Sequence, residues 1–297
     1  MMMTDDKTLM KQHMGLERSR RLSNRAITIL LIVISVVWLF PFVCILLQSF
    51  RVESTHQVGY IIPKKWGLDN YKYLLDTSNS NFMRWYTNTL IVALFTTVLQ
   101  TLIVLSMSYT LSRFRFKARK GLMQLMLILG MFPGMLTMII LYRVLKDLGM
   151  TGANSVPGLI LVYIASSGMG YYVSKGFFDT IPKSLDEAAR VDGATRLRVL
   201  LKIILPLSKP IVIYTVLTAF MAPWGDYIFA SYVALGKNDI GRNVAVGLNS
   251  WMDKASINTH YTHFCAGGVF VALPVTIVFM CLQKYYVEGV TGGAVKG

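Results

Sequence analysis

The sequence predicts an all-α integral membrane protein with six transmembrane helices, for three reasons. Hydrophobic residues make up 54% of the 297-residue chain and charged residues only 15%, whereas a soluble domain carries about 25% charged residues. Six runs are free or nearly free of charge and are about as long as a helix that crosses a bilayer. Lys and Arg residues are concentrated in alternate connecting segments, as in multi-pass membrane proteins.

The first apolar run follows a polar segment, residues 1–25, and lacks the small-residue cleavage site of a signal peptide. We therefore expect it to remain as a transmembrane helix. Two later runs contain Gly and Pro residues, which kink helices or let them pack closely. The last run is only marginally long enough to cross the membrane. The predicted transmembrane helices are residues 26–50, 88–112, 121–142, 153–174, 210–235 and 267–282.

The distribution of Lys and Arg predicts how these helices are oriented. Of the 30 Lys and Arg residues, 20 lie in one set of alternate segments and 10 in the other. The richer set faces the cytoplasm, so both termini are predicted to be cytoplasmic. The net charge of +15 then needs no nucleic-acid partner, for which the sequence has no recognition motif. The richer segments are 1–25, 113–120, 175–209 and 283–297, and the poorer ones are 51–87, 143–152 and 236–265.

The sequence contains no pattern for a metal centre or for nucleotide hydrolysis. Its three Cys residues are scattered, and His260 and His263 lack a third ligand, so both His residues are expected to be solvated. No GxxxxGK[ST] phosphate-binding loop, the motif that would predict nucleotide binding, is present. The aromatic residues of loop 51–87 are expected to lie at the membrane interface.

The segment 175–209 is long and charged for a link between two membrane helices. Its first half is amphipathic, and Ser184 with Glu187 three residues later fits a capping box. Gly193 then allows a turn without steric cost. The second half predicts one apolar helical stripe formed by Leu197, Leu200, Leu201 and Ile204. The pattern indicates a helical hairpin that either lies on the membrane surface or docks onto a cytoplasmic partner.

The same segment contains a spaced motif: Glu-Ala-Ala, three residues, Gly, nine residues, Ile, one residue and Leu-Pro. This pattern resembles the EAA motif of binding-protein-dependent ABC importer permeases. Its fixed positions all match, at Glu187, Ala188, Ala189, Gly193, Ile203, Leu205 and Pro206. Residues 171–194 and 222–230 also resemble carbohydrate-uptake permeases, and residues 288–297 resemble the MalG-type subunit of maltose and maltodextrin importers.

The resemblance implies a type I ABC importer transmembrane domain over residues 84–282, with the predicted hairpin as its coupling helix. It also implies a second homologous permease subunit, two ATPase subunits that bind ATP and Mg, and an extracytoplasmic sugar-binding protein. In this arrangement Ala188 and Ala189 fit a groove on the ATPase, and Glu187 pairs with a basic residue there. The chain itself is then a non-catalytic subunit of the bacterial plasma membrane, without a cofactor of its own.

Two polar segments that follow the hairpin in the sequence also have expected contacts. The outer loop 236–265 is a candidate contact for the sugar-binding protein. The Gly-rich tail, residues 283–297, favours a frayed end by composition, whereas the resemblance implies insertion between the ATPase subunits. The tail residues concerned are Gly289, Gly292, Gly293 and Lys296.

Asp226 is the one charged residue in a predicted transmembrane helix, and intramembrane acids indicate function by default. With Trp224 and Tyr227 it is a candidate sugar contact in the pathway, or it reaches water at the outer end of the helix. The resemblance favours import of an oligosaccharide such as maltodextrin. An ABC permease for a polyol or glycerol phosphate is the alternative, while an independent transporter or a membrane enzyme lacks supporting motifs.

Overall fold

The computed structural model of the chain describes residues 3–166, 168–235 and 239–294. Within these ranges the chain is helical apart from its connecting segments and one isolated antiparallel bridge between Arg51 and Trp66. The all-α prediction is therefore confirmed.

Long apolar helices alternate with short connecting helices along the part of the chain that the structure describes. A 3-10 turn, Gly152–Asn154, and a π-helical turn, Leu200–Ile204, interrupt the α-helical series. The α-helices are α1 (Met3–Ser49), α2 (Asp69–Leu75), α3 (Phe82–Arg113), α4 (Arg119–Gly130), α5 (Gly134–Asp147), α6 (Ser155–Ala165), α7 (Gly168–Asp179), α8 (Lys183–Val191), α9 (Arg196–Val199), α10 (Leu205–Leu207), α11 (Lys209–Gly225), α12 (Ile228–Val233), α13 (Val244–Ser250) and α14 (Ile257–Ala294).

Among the described residues, four helical stretches are long and apolar enough to cross a membrane, and up to six if each of two bent helix pairs counts as one span. The bent pairs are α4 with α5, at 101°, and the helical stretch Arg196–Leu207 with α11, at 87°. The four single stretches are Ser23–Ser49, Phe82–Arg113, Gly152–Asp179 and Ile257–Tyr285.

The helix ends differ from the predicted ones where Pro and Gly residues interrupt the backbone hydrogen bonds. The predicted helix 121–142 is broken between Gly130 and Gly134, because Pro133 lacks an N–H group and takes an extended conformation (ψ 121°) before α5. The predicted helix 210–235 ends earlier, at Gly225. The last helix begins at Ile257, ahead of the predicted start at residue 267.

Helix α3 lies at the centre of the fold and packs against α6, α7 and α11. Helix α1 packs against α14, and its last residue, Ser49, is hydrogen-bonded to Asn70 and Tyr71 of α2. One end of the bundle holds an aromatic core that includes Phe82, Trp85, Trp224 and Trp251. Helix α13 approaches α3 so closely there that position 247 requires Gly, because a Cβ atom at this position would lie 2.0 Å from Cε3 of Trp85. The apolar side chains of the first membrane stretch are exposed, as expected for a helix that faces lipid.

Candidate functional site

The spaced motif lies on a helical hairpin at the end of α3; α8 forms its first half, and α9, the π-helical turn and α10 form its second half. One side of the hairpin is packed onto the bundle through an apolar cluster, here called the hairpin cluster. Its buried members come from α3, α7, α11 and the hairpin segment itself. They are Leu105, Tyr109, Phe178, Ile181, Val199, Leu200, Ile204 and Ile211. The hairpin is therefore fixed to the membrane helices rather than loosely tethered to them.

Gly193 makes the turn of the hairpin. Its φ of +81° is in the left-handed region, which glycine adopts without strain. The N–H of Ala194 donates to the Ala189 carbonyl at 2.9 Å, and the N–H of Gly193 donates to the Arg190 carbonyl at 3.1 Å. This pair of bonds is a Schellman motif, which satisfies the last carbonyls of α8 and reverses the chain.

The capping box predicted at Ser184 and Glu187 is wrong. Helix α8 begins at Lys183, directly after Pro182, and its N-cap makes no side-chain hydrogen bond. Pro182 has the φ of −56° that suits the start of a helix, so Ser184 falls inside the first turn instead of before it. The side-chain cap of the hairpin is at Thr195, whose hydroxyl accepts a hydrogen bond from the Arg198 N–H at 3.3 Å.

The π-helical turn Leu200–Ile204 changes which residues of the second half are buried. Val199 and Ile204 are 1% and 0% exposed. By contrast, Leu197 and Leu201, which the α-helical stripe predicted to share the buried face, are 64% and 51% exposed. A π turn bonds residues five apart and so rotates its side chains, Leu201 among them, relative to an α-helix, whereas Leu197 lies before the turn, on α9. The predicted stripe is correct for its other two members only.

A buried ion pair ties the hairpin to α3. The Nε atom of Arg113 lies 2.9 Å from Oδ2 of Asp186, and their side chains are 5% and 13% exposed. Arg113 also donates from Nη2 to the Ile181 carbonyl at 3.0 Å. Burial raises the pKa of the Asp186 carboxyl above its ordinary value; Arg113 opposes this shift and the nearby Glu187 adds to it. The sequence offered no signal for this pairing beyond an Arg at the end of a predicted membrane helix.

A second set of contacts ties α9 to the same end of α3. The Tyr109 hydroxyl donates to the Arg196 carbonyl at 3.3 Å, and the Arg196 guanidinium lies 4.3 Å from the ring centroid of Phe114. Both halves of the hairpin are thus attached to one membrane helix.

The motif residues divide between the two sides of the hairpin. Glu187, Ala188, Gly193 and Pro206 are exposed, and the Glu187 side chain makes no hydrogen bond or ion pair with any described residue. The remaining motif residues are half-buried against the hairpin cluster; they are Ala189, Ile203 and Leu205.

The exposed face of the hairpin also carries apolar side chains that sequence reasoning missed. Val191 is 87% exposed and lies between Ala188 and the Gly193 turn, and Leu197 is exposed on α9. An exposed apolar surface beside a free carboxylate is typical of an interaction site. A helical projection of residues 183–191 would have placed Val191 beside Ala188, away from Ala189.

The predicted pathway residues lie at the other end of α11, away from the hairpin. Trp224 is 5% exposed and its ring packs 5.3 Å from that of Tyr86, so it belongs to the aromatic core. Asp226 accepts a hydrogen bond from the Tyr163 hydroxyl and another from the Phe229 N–H, where it caps the start of α12. Tyr227 is 43% exposed.

The other predicted sites are placed as follows. His260 and His263, expected to be solvated, stack on the rings of Trp251 and Tyr73 at 5.5 and 4.0 Å. The described residues contain no group of three His, Cys, Asp or Glu residues that could hold a metal ion. Of the tail residues, Gly289, Gly292 and Gly293 fall within α14, and Lys296 lies outside the described residues.

The chain is similar to known proteins over most of its length. Residues 102–292 match the family described as binding-protein-dependent transport system inner membrane component. The chain is 34% identical over 285 residues to the maltodextrin transport system permease protein MdxG of Bacillus subtilis, covering 96% of this chain and 100% of that protein. It is 35% identical over 284 residues to the maltodextrin permease protein MalD of Streptococcus pneumoniae, covering 95% and 99% of the two chains.

Two further comparisons extend this similarity. The chain is 35% identical over 271 residues to the galactooligosaccharides transport system permease protein GanQ of Bacillus subtilis, covering 91% and 94% of the two chains. A solved bacterial ABC transporter involved in the import of alginate superposes with a TM-score of 0.76 at 23% identity, covering 91% of this chain and 98% of that one. This likeness shows a shared fold, and the predicted type I importer architecture is confirmed.

Proposed function

The chain belongs to the family of binding-protein-dependent transport system inner membrane components, and from this premise we propose that it is the permease subunit of an ATP-driven oligosaccharide importer. The observation that carries the proposal is the two-sided hairpin. Its inner side is anchored to α3 and α11 through the hairpin cluster, while its outer side presents Glu187, Ala188 and Val191 to solvent.

In the proposed mechanism a separate ATPase subunit, which binds ATP and Mg, receives the exposed face of the hairpin in a groove. Ala188 and Val191 fill that groove, and Glu187 pairs with a basic residue of the ATPase. Closure of two ATPase subunits then displaces the hairpin. Because the Arg113–Asp186 pair and the hairpin cluster join it to the bundle, α3 and α11 move with it as a rigid body. This chain contributes no catalytic group.

The proposed substrate class follows from the relatives, which are named as permeases for maltodextrin and galactooligosaccharides. An extracytoplasmic binding protein delivers the sugar to the outer end, where segment 236–265, which contains α13 and the start of α14, is the proposed contact. A second homologous permease subunit completes the pathway. Both termini lie in the cytoplasm, and the tail with Gly289, Gly292, Gly293 and Lys296 reaches between the ATPase subunits. A polyol or glycerol phosphate is the alternative solute.

Purification of the tagged chain in mild detergent, from cells that also express its cognate subunits, tests the assembly. We expect an ATPase and a second permease to co-purify in fixed ratio with it. Recovery of the chain alone, in a detergent that preserves its helical content, would contradict the proposal. Binding of candidate sugars by the cognate binding protein separates an oligosaccharide from a polyol or glycerol phosphate.

A further inference from the structure

The hairpin does not close completely onto α3. A cavity of about 320 Å³ separates α8 and α9 from the end of α3 and the residues that follow it. Cationic side chains from both sides of this gap line it. They are Arg113, Arg115, Lys183, Arg190 and Arg196. Asp186 and Glu187 are the acids in the wall, so cations outnumber carboxylates by five to two and the cavity attracts an anion.

The buried ion pair leaves unused hydrogen-bonding atoms in the wall of this cavity. The Arg113 side chain is 95% buried, since 5% of it is exposed. Its Nη1 atom has no hydrogen-bond partner, and neither has Oδ1 of Asp186. Buried polar atoms are normally satisfied, and unpartnered ones indicate a missing ligand or ion. An acceptor for Arg113 and a hydroxyl donor for Asp186 would satisfy both.

The surroundings of the cavity place it at a membrane surface. Arg113 is the last residue of the candidate membrane stretch Phe82–Arg113, and the next turn exposes 39% of the Phe116 side chain. A second cavity shares Arg115 with the first and is lined also by Lys117, Arg119 and Lys120. Basic pockets at the ends of membrane helices bind anionic lipid headgroups, and an exposed aromatic ring beside them is typical of the interface.

We propose that this cavity binds the phosphate of an anionic phospholipid headgroup, with phosphatidylglycerol as the best chemical match. The phosphate oxygens accept hydrogen bonds from the cations, and the hydroxyl groups of the glycerol headgroup donate to the Asp186 carboxylate. Lys183 and Arg196 belong to the hairpin, whereas Arg113 and Arg115 belong to α3 and the turn after it. A headgroup bound between them bridges the two and holds the hairpin in its docked position. This inference is independent of the transported solute.

Native mass spectrometry of the full transporter complex tests this site by counting the lipids that stay bound. The complex is held in nanodiscs of phosphatidylcholine with about 20% phosphatidylglycerol, which keeps the membrane surface anionic. The test variants are Lys183→Gln alone and Lys183→Gln with Arg196→Gln. The matched control is Arg198→Gln with Lys202→Gln, which removes two exposed cations outside the cavity. We expect retained phosphatidylglycerol to fall roughly 5-fold in the single and 25-fold in the double variant, and less than 2-fold in the control.

A second arm separates lipid from free phosphate. Inorganic phosphate is titrated into the complex in nanodiscs of phosphatidylcholine only, and hydrogen exchange of α8 is followed. We expect phosphate to leave exchange unchanged, and phosphatidylglycerol to slow it in the wild type but not in the Lys183→Gln variant. Equal lipid retention in cavity and control variants overturns the proposal. If phosphate slows the exchange of α8 in the wild type but not in the Lys183→Gln variant, the assignment to lipid is overturned and free phosphate is the ligand.

Discussion

The buried pair between Arg113 and Asp186 allows a quantitative test of how the hairpin is attached. The charges are 2.9 Å apart in side chains that are 5% and 13% exposed. Removing one partner of such a pair leaves an uncompensated buried charge and costs about 3–5 kcal/mol. At about 1.4 kcal/mol per tenfold change in equilibrium constant, this weakens docking of the hairpin roughly 140- to 4,000-fold. Arg113→Gln and Asp186→Asn should each have this effect.

The double replacement Arg113→Met with Asp186→Leu should restore docking. Buried ion pairs stabilise little relative to apolar side chains of similar volume, because desolvation offsets their attraction. The pKa of Asp186 is raised mainly by burial, which shows that desolvation outweighs the attraction of Arg113. The free energy of hairpin docking in the double variant is therefore expected to be within about 1 kcal/mol of the wild-type value, or more favourable.

Hydrogen exchange of α8 in the assembled complex reports docking directly, and the ratio of solute uptake to ATP hydrolysis reports coupling. The matched control is Asp192→Asn, which removes an exposed carboxylate at the end of the same helix. In nanodiscs of phosphatidylcholine only, where no anionic headgroup occupies the cavity, each single variant should exchange faster and hydrolyse ATP without matching uptake. The double variant and the control should behave like the wild type there. Unchanged exchange in both single variants would refute the attachment. A double variant as impaired as the single variants would show that the charge itself, rather than packing, is required.

Further predictions concern single positions. Gly193→Asn should preserve coupling, because Asn tolerates the left-handed conformation, whereas Gly193→Val should reduce ATP-dependent uptake with normal membrane insertion; equal uptake by both would contradict the role of the turn. Glu187→Gln should weaken co-purification of the ATPase without changing the melting temperature of the isolated chain, and unaltered co-purification would exclude its proposed contact. Gly247→Val should abolish stable folding, since a Cβ there meets the Trp85 ring, and a normal melting curve would contradict this packing. Asp226→Ala should lower thermal stability by loss of the α12 cap, about 1 kcal/mol, and a change in sugar affinity alone would instead support a pathway role.

The sequence predicted those features that depend on composition or on close neighbours along the chain. Apolar runs predicted a helical membrane protein, and the spacing from Glu187 to Pro206 predicted both the hairpin and its family. The turn at Gly193 also follows from local chemistry, because only a residue free of a Cβ adopts its φ without strain.

The remaining features of the site depend on tertiary contacts, which cannot be predicted from neighbouring residues in the sequence. Asp186 and Glu187 are adjacent carboxylates, yet one is buried against Arg113 and the other faces solvent. Leu197 of α9 and Leu201 of the π-helical turn are exposed, although an α-helical projection assigns both to the buried face. Asp226 is a lone acid in an apolar run, and no local pattern indicates that the chain breaks there or that both of its carboxylate oxygens accept hydrogen bonds within the fold.

The central claim is that this chain moves solute only when its hairpin is driven by ATP hydrolysis on a separate subunit. Uptake of labelled maltodextrin into proteoliposomes tests it, with the complete complex, the cognate binding protein on the delivery side and ATP on the hairpin side. We predict that uptake requires both ATP and the ATPase subunit, and that Gly193→Val reduces it while ATP hydrolysis continues. Uptake by the permease subunits alone, driven by an ion gradient and unaffected by ATP, would contradict the account.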